Sequence, residues 1–130
     1  MSCCPLGKAA QLRTIIAGSR SVDNIRAVEE AVTRSGFSVS EVVSGCARGA
    51  DRLGEMYAGK NGLPVKRFPA DWRRLGRMAG VVRNHAMARY ADALIAVWDG
   101  RSRGTGHMIT TARKRGLRVY IYLVGEDGVG

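Results

Sequence analysis

Short apolar runs alternate with amphipathic stretches along most of the chain. Residues 12–17 (LRTIIA) form the first run, closed by Gly18, and read as a buried strand. Residues 21–35 follow, with Val22, Ile25, Val28 and Val32 on one helical face and Gly36 placed to stop the helix. Residues 39–43 are a second strand, entering the glycine-rich segment SGCARGAD at 44–51. Leu53, Met56 and Tyr57 have helical spacing, and Asn61-Gly62 ends that helix. Residues 64–68 predict a short third strand and 69–75 a loop. A helix over about 79–91 leads to ALIAVW at 93–98, the clearest strand of the chain. A helix over 104–115, closed by Gly116, precedes a fifth strand at 117–124, rich in Val, Ile and Tyr.

Five apolar strands separated by helices predict an α/β fold: one Rossmann-like domain with a five-stranded, mainly parallel sheet covered on both faces. The domain is expected over 12–125, with a flexible N-terminus at 1–11 and a tail at 126–130. At 130 residues the chain is long enough to bury a core without disulfides or metals. In such sheets ligands bind beyond the carboxyl ends of the strands, where the strand order switches. Those ends carry Gly18-Ser19-Arg20, then 44–51, Asp71-Trp72, and 99–105, a concentration of glycines, hydroxyls and arginines.

The charge narrows the class of partner. Twenty-one basic residues, seventeen of them arginine, face eleven acidic ones, a net +10. That balance favours polyanions, either nucleic acid or phosphorylated small molecules. Three cysteines without a CxxC pair, joined by only His85 and His107, argue against a disulfide framework or a metal site. No run approaches eighteen apolar residues, and residues 1–11 lack the apolar core of a secretory signal, so a cytoplasmic protein without membrane contact is the default expectation.

Ser44, Gly45, Arg48, Gly49 and Asp51 lie in the first glycine-rich turn, and Ser102, Gly104 and Thr105 in the second. Each turn feeds a helix whose free amides attract phosphate. An ordinary strand-to-helix turn explains either one alone, with Asp51 complementing a helix dipole. Two of them at one sheet edge, with Gly18-Ser19-Arg20 as a third, favour a phosphate-bearing ligand. Trp72 could stack on a base or cover the core. Arg83, Asn84 and His107 could reach a phosphate or simply sit in solvent. Cys46 lies in the first turn with no paired base to make it a nucleophile.

The stretches IIAGSR at 15–20, SGCARGAD at 44–51, FPADW at 68–72, AGVVRN at 79–84 and ADALIAVWDGRSRGTGHMI at 91–109 resemble the YspA-type (cpYpsA-related) SLOG family. Cys46 departs from that pattern, where relatives commonly carry glycine. The family is a distant relative of the DNA-processing protein DprA and of the Lonely Guy enzymes. The resemblance implies a pocket for a nucleotide or nucleotide-derived molecule, held by Gly18, Ser19, Arg20, Ser44, Gly45, Arg48, Gly49, Ser102, Gly104 and Thr105. Asp71, Trp72, Arg83 and Asn84 would line it, and Asp51 and Asp99 would order loops or meet ribose hydroxyls. No cofactor is required, a homodimer is expected, and occurrence in phages is implied.

Three functions are compatible with the resemblance. The first is a sensor or sequestering protein for such a ligand. The second is a hydrolase cleaving an N-glycosidic or phosphoester bond, with Asp99, Asp71 or Glu55 as candidate carboxylates. The third is a DprA-like nucleic-acid binder, which the charge supports and the 6% aromatic content disfavours. In Lonely Guy enzymes a GGxGTxxE loop supplies the glutamate. Gly104-Thr105 resembles its GT pair, and the glutamate position falls on Met108, so that activity is not expected.

Overall fold

The computed structural model describes residues 11–47 and 49–124. The predicted flexible N-terminus (apart from Gln11), Arg48 and the tail lie outside them. The elements run β1 (Leu12–Gly18), α1 (Ile25–Ser35), β2 (Val39–Ser44), α2 (Ala50–Lys60), β3 (Val65–Arg67), α3 (Trp72–Leu75), α4 (Met78–Tyr90), β4 (Ala93–Trp98), α5 (Arg103–Lys114) and β5 (Arg118–Leu123).

Every strand pairing is parallel, and the sheet order is β3-β2-β1-β4-β5. Alternation along each strand splits the core in two. Ile15, Val43, Leu94 and Ala96 face α4 and α5, meeting Met87, Ala88, Met108, Ile109 and Ala112. Ile16, Val42, Ile95 and Val97 face α1 and α2, meeting Val28, Ala31, Val32, Ala50, Leu53 and Ala58. Burial on both sides is why the central strands read as unbroken apolar runs. The order reverses between β1 and β4, so the crevice expected of this topology opens at their carboxyl ends.

Two local expectations need correction. The helix predicted from residue 21 starts at Ile25, capped by Asn24, whose side chain accepts the Arg26 N–H at 2.9 Å. Val22 is buried, but from the preceding turn, where its N–H meets the Ser19 carbonyl. Its spacing imitates a helical face without belonging to one. Residues 69–75, predicted as a loop, contain α3, a single turn capped by Asp71, which accepts the Arg74 N–H at 3.1 Å. One turn is too short to show helical periodicity.

Candidate functional site

The carboxyl edge is built around Ser19, a fully buried residue. Its N–H donates to the Val97 carbonyl at 3.0 Å, and its carbonyl receives Val22 N–H and Ala50 N–H. Its hydroxyl oxygen accepts the Asp99 N–H at 2.9 Å and lies 3.1 Å from the Ser102 hydroxyl. Asp99 Oδ1 in turn accepts the N–H groups of Arg101 and Ser102, each at 2.8 Å. Those two amides, reinforced by the Ser19 and Ser102 hydroxyls, hold the Asp99 carboxyl down at about 2. Ser19, Asp99 and Ser102 thus tie the end of β1 to the start of α5 from beneath.

The first glycine turn is packed tightly. A Cβ on Gly45 would lie 2.8 Å from both Arg83 Nη1 and Asp51 Oδ2. Gly49, at φ +73°, precedes α2 and leaves no room beside the Ser19 carbonyl and Arg20. Gly18 has its own reason, since a Cβ there would strike the Val97 carbonyl oxygen at 2.0 Å. Ser44 is buried and donates to Glu55 at 2.6 Å. Asp51, only 5% exposed, accepts the Ala47 N–H at 3.3 Å. Burial pushes its carboxyl up to about 6, against the pull of the Ala47 N–H, Arg83 and the Gly45 N–H.

The second turn is open. Ser102 stands at the N-cap of α5 without a side-chain cap bond, as Gly49 does for α2. Arg103, Gly104 and Thr105 therefore begin α5 with amides that have no partner within the helix. A Cβ on Gly104 would meet nothing within 4 Å. Thr105 is buried, Gly104 exposed.

Helix α4 joins the two turns. Arg83 donates through Nη1 to the Gly45 carbonyl at 2.6 Å and through Nε to Asn84 Oδ1 at 3.0 Å. Asn84, buried, donates weakly to the Gly104 carbonyl at 3.4 Å and meets His107 Nδ1 at 3.0 Å. If His107 accepts there, its Nε2 carries the proton toward the Thr111 hydroxyl at 3.4 Å. Burial, then His85 and Lys114, lower its pKa. His107 thus stands between Asn84 and Thr111. Arg83 likewise carries a structural bond besides any ligand contact.

Trp72 opens α3 and is 53% exposed. A methyl on Gly80 would lie 3.4 Å from its ring and 3.8 Å from Arg83 Nη2, so Trp72 and Arg83 border one spot. Asp71, which precedes Trp72, and Arg20, which lies beside Gly49, are both exposed.

The candidate carboxylates are committed elsewhere. Burial raises the Glu55 pKa, but the Ser44 hydroxyl and an Arg67 fork at 3.0 and 3.1 Å outweigh it and leave it lowered. Asp71 caps α3, and Asp99 is anchored as described. Met108 is 1% exposed among Ile15, Leu94 and Ile109, a core position. A glutamate in this rotamer would be inside the core, not in a pocket. The first-turn position of Asp51 and the packing role of Met108 were legible as options in the sequence. The buried bonds linking Ser19 to residues eighty positions away carried no local signal.

Among the described residues, no group of three or more His, Cys, Asp or Glu could hold a metal ion, and no helix is long and apolar enough to cross a membrane. The signature of the YspA, cpYpsA-related SLOG family matches residues 12–75. The Gene 61 protein of Mycobacterium phage D29 is 38% identical over 118 residues, covering 82% of this chain and 93% of that protein. The chain belongs to the YspA-related SLOG family. This SLOG chain also shares its fold with DNA processing protein A (DprA) from Streptococcus pneumoniae, at a TM-score of 0.66 and 20% identity over 88% of the chain. It spans half the length of that DprA chain. The Gly45 carbonyl of the first glycine turn and the Gly104 carbonyl of the second both accept hydrogen bonds from α4.

Proposed function

We propose that the protein binds a nucleotide or nucleotide-derived phosphorylated molecule over the carboxyl edge of the sheet, as a sensor or sequestering protein. The observation that carries this reading is the pairing of α2 and α5. Both helices start on glycine turns without side-chain caps, and both turns are held by neighbouring residues of α4. Phosphate would take the open amides of the α5 turn, where dipole and N–H groups act together. Trp72 and Arg83 would flank the base or a second phosphate. The test is thermal denaturation against a panel of nucleoside mono-, di- and triphosphates, with mass spectrometry of small molecules released from the purified protein. A ligand at a hundred times its Kd adds about 2.7 kcal/mol and raises the midpoint by several degrees. No shift with any nucleotide, and no nucleotide-like molecule released, would overturn the reading.

Cleavage of the ligand is the second reading, and Asp51 is the observation in its favour. A carboxyl raised to about 6 titrates near neutrality, as a general acid should. Its burial beneath the Gly45 turn supports binding over cleavage. Incubation with AMP, followed by chromatography, should show no free base. Release abolished by Asp51→Asn would make the protein a hydrolase.

A further inference from the structure

The two edges of the sheet are built differently. At one, β3 is three residues long, follows Pro64 and carries the exposed Lys66 and Arg67. Shortness, proline and charge keep an edge strand from pairing with another chain. At the other, β5 (RVYIYL) is six residues long, with one charge, Arg118, no proline, and no irregularity in its register with β4. Val119 and Ile121 pack on one core cluster, and Tyr120 and Tyr122 on the other. Leu123, the last residue, is 65% exposed. Arg118 N–H donates to the Asp92 carbonyl at 3.3 Å, and Val124 N–H to the Trp98 carbonyl at 2.9 Å. The even-numbered residues thus turn their main chain toward β4. Backbone groups alternate sides along a strand, so Val119, Ile121 and Leu123 turn N–H and C=O outward. Among the described residues no strand pairs with that side.

The amino end of β5 is cationic. Gly116 N–H donates to the Arg113 carbonyl at 3.1 Å and Leu117 N–H to the Ala112 carbonyl at 3.0 Å, which folds the start of β5 against the end of α5. Arg113, Lys114, Arg115 and Arg118 gather there, all exposed, and none forms an ion pair among the described residues. The α5 dipole accounts for Arg113 and Lys114 in its last turn; Arg115 caps the helix and Arg118 lies beyond it. We infer that the β5 edge docks an extended segment of another protein as a sixth strand, apolar along its length and acidic at the end beside Arg118. Main-chain bonds to Val119, Ile121 and Leu123 supply the affinity, and the flanking side chains the specificity. Charge selects the occupant, because at +10 a second copy is repelled and an acidic strand attracted. The glycine turns stand at the carboxyl ends of their strands and these cations at the amino end of β5, so the inference does not depend on nucleotide binding.

The test is residue-resolved amide hydrogen exchange on the full chain, alone and with the acetylated peptides EEVTVTVT, KKVTVTVT and EEVTPTVT. In the free protein the Val119, Ile121 and Leu123 amides should exchange quickly and those of Tyr120 and Tyr122 slowly. EEVTVTVT should slow the three outward amides selectively and bind several-fold more tightly than KKVTVTVT. EEVTPTVT, whose proline removes a strand donor, should protect them weakly. Leu123→Pro removes only an outward donor, so the chain should fold as before and lose peptide binding. Arg118→Glu should reduce the preference for the acidic peptide over the basic one while keeping the strand pairing. No protection of the outward amides by millimolar EEVTVTVT overturns the inference, as does equal protection by EEVTPTVT, which would reduce the effect to charge alone. Outward amides already protected in the dilute free protein, whether by a second copy seen in sedimentation or by the chain itself, overturn it as well.

Discussion

The two glycine turns at the sheet edge look alike in sequence and differ in what holds them. In the β2–α2 turn the protein itself uses the space: Arg83 and Asp51 crowd Gly45, and Ser19 and Arg20 crowd Gly49. In the β4–α5 turn nothing lies within 4 Å of where a Cβ on Gly104 would stand. Glycine early in a helix costs about 1 kcal/mol relative to alanine. Gly49 stands before its helix at φ +73°, where the fold requires glycine; Gly104 lies inside α5, where nothing in the fold requires it. The difference separates a turn built as scaffold from one kept bare for a ligand. Shared motifs alone would have assigned both the same role.

The comparison breaks first at its packed side. Gly18→Ala, beside the first turn, would drive a methyl against the Val97 carbonyl and the Ala50 side chain. We expect a loss of about 3 kcal/mol or more in chemical denaturation. A mild effect would mean that β1, β4 and α2 can part easily, and that the packed turn is not rigid.

Asp51 sharpens the same side through pH. Its carboxyl is raised in the folded state to about 6, so folding favours the protonated form. Stability from this group is therefore fully present below the unfolded carboxylate pKa near 4 and is lost as pH rises through about 6. Asp51→Asn should add about 3 kcal/mol at pH 7 and little at pH 4, measured by urea unfolding at both values. An equal effect at both would show that the ionised carboxylate is not strained by burial.

Arg83→Ala tests the brace that joins the turns. Losing a charged hydrogen bond to the Gly45 carbonyl should cost about 1.5 kcal/mol and weaken nucleotide binding as well. A residue serving only the ligand would leave the melting temperature unmoved.

Much of this was legible before the structure. The five strands follow from apolar runs because a doubly covered parallel sheet needs no polar face, and each boundary falls within about one residue of the expected one for β1, β2, β3, β4 and β5. The start of α1 was misplaced because Val22 is buried by tertiary packing rather than helical periodicity. The four-residue α3 had no period to read. Of the site, the sequence shows which residues share the carboxyl edge. It cannot show that Ser19 is sealed inside it, that His107 meets Asn84, or that Gly104 alone among the two turns' compared glycines stands in open space. Those depend on contacts between residues far apart in the chain.

The smallest expected effect bears on the central claim. Gly104→Ala should raise stability by about 0.5–1 kcal/mol, since only helix propensity changes. Gly104→Val should leave the free protein within about 1 kcal/mol of wild type while placing a branched side chain beside the α5 amides. The direct measurement is nucleotide-induced thermal stabilisation of wild type, Gly104→Ala and Gly104→Val, each with and without the nucleotide that best protects the wild type. The account predicts that Gly104→Val folds normally and loses that protection, with Gly104→Ala between the two. Full protection of Gly104→Val would show that the bare turn does not receive the phosphate.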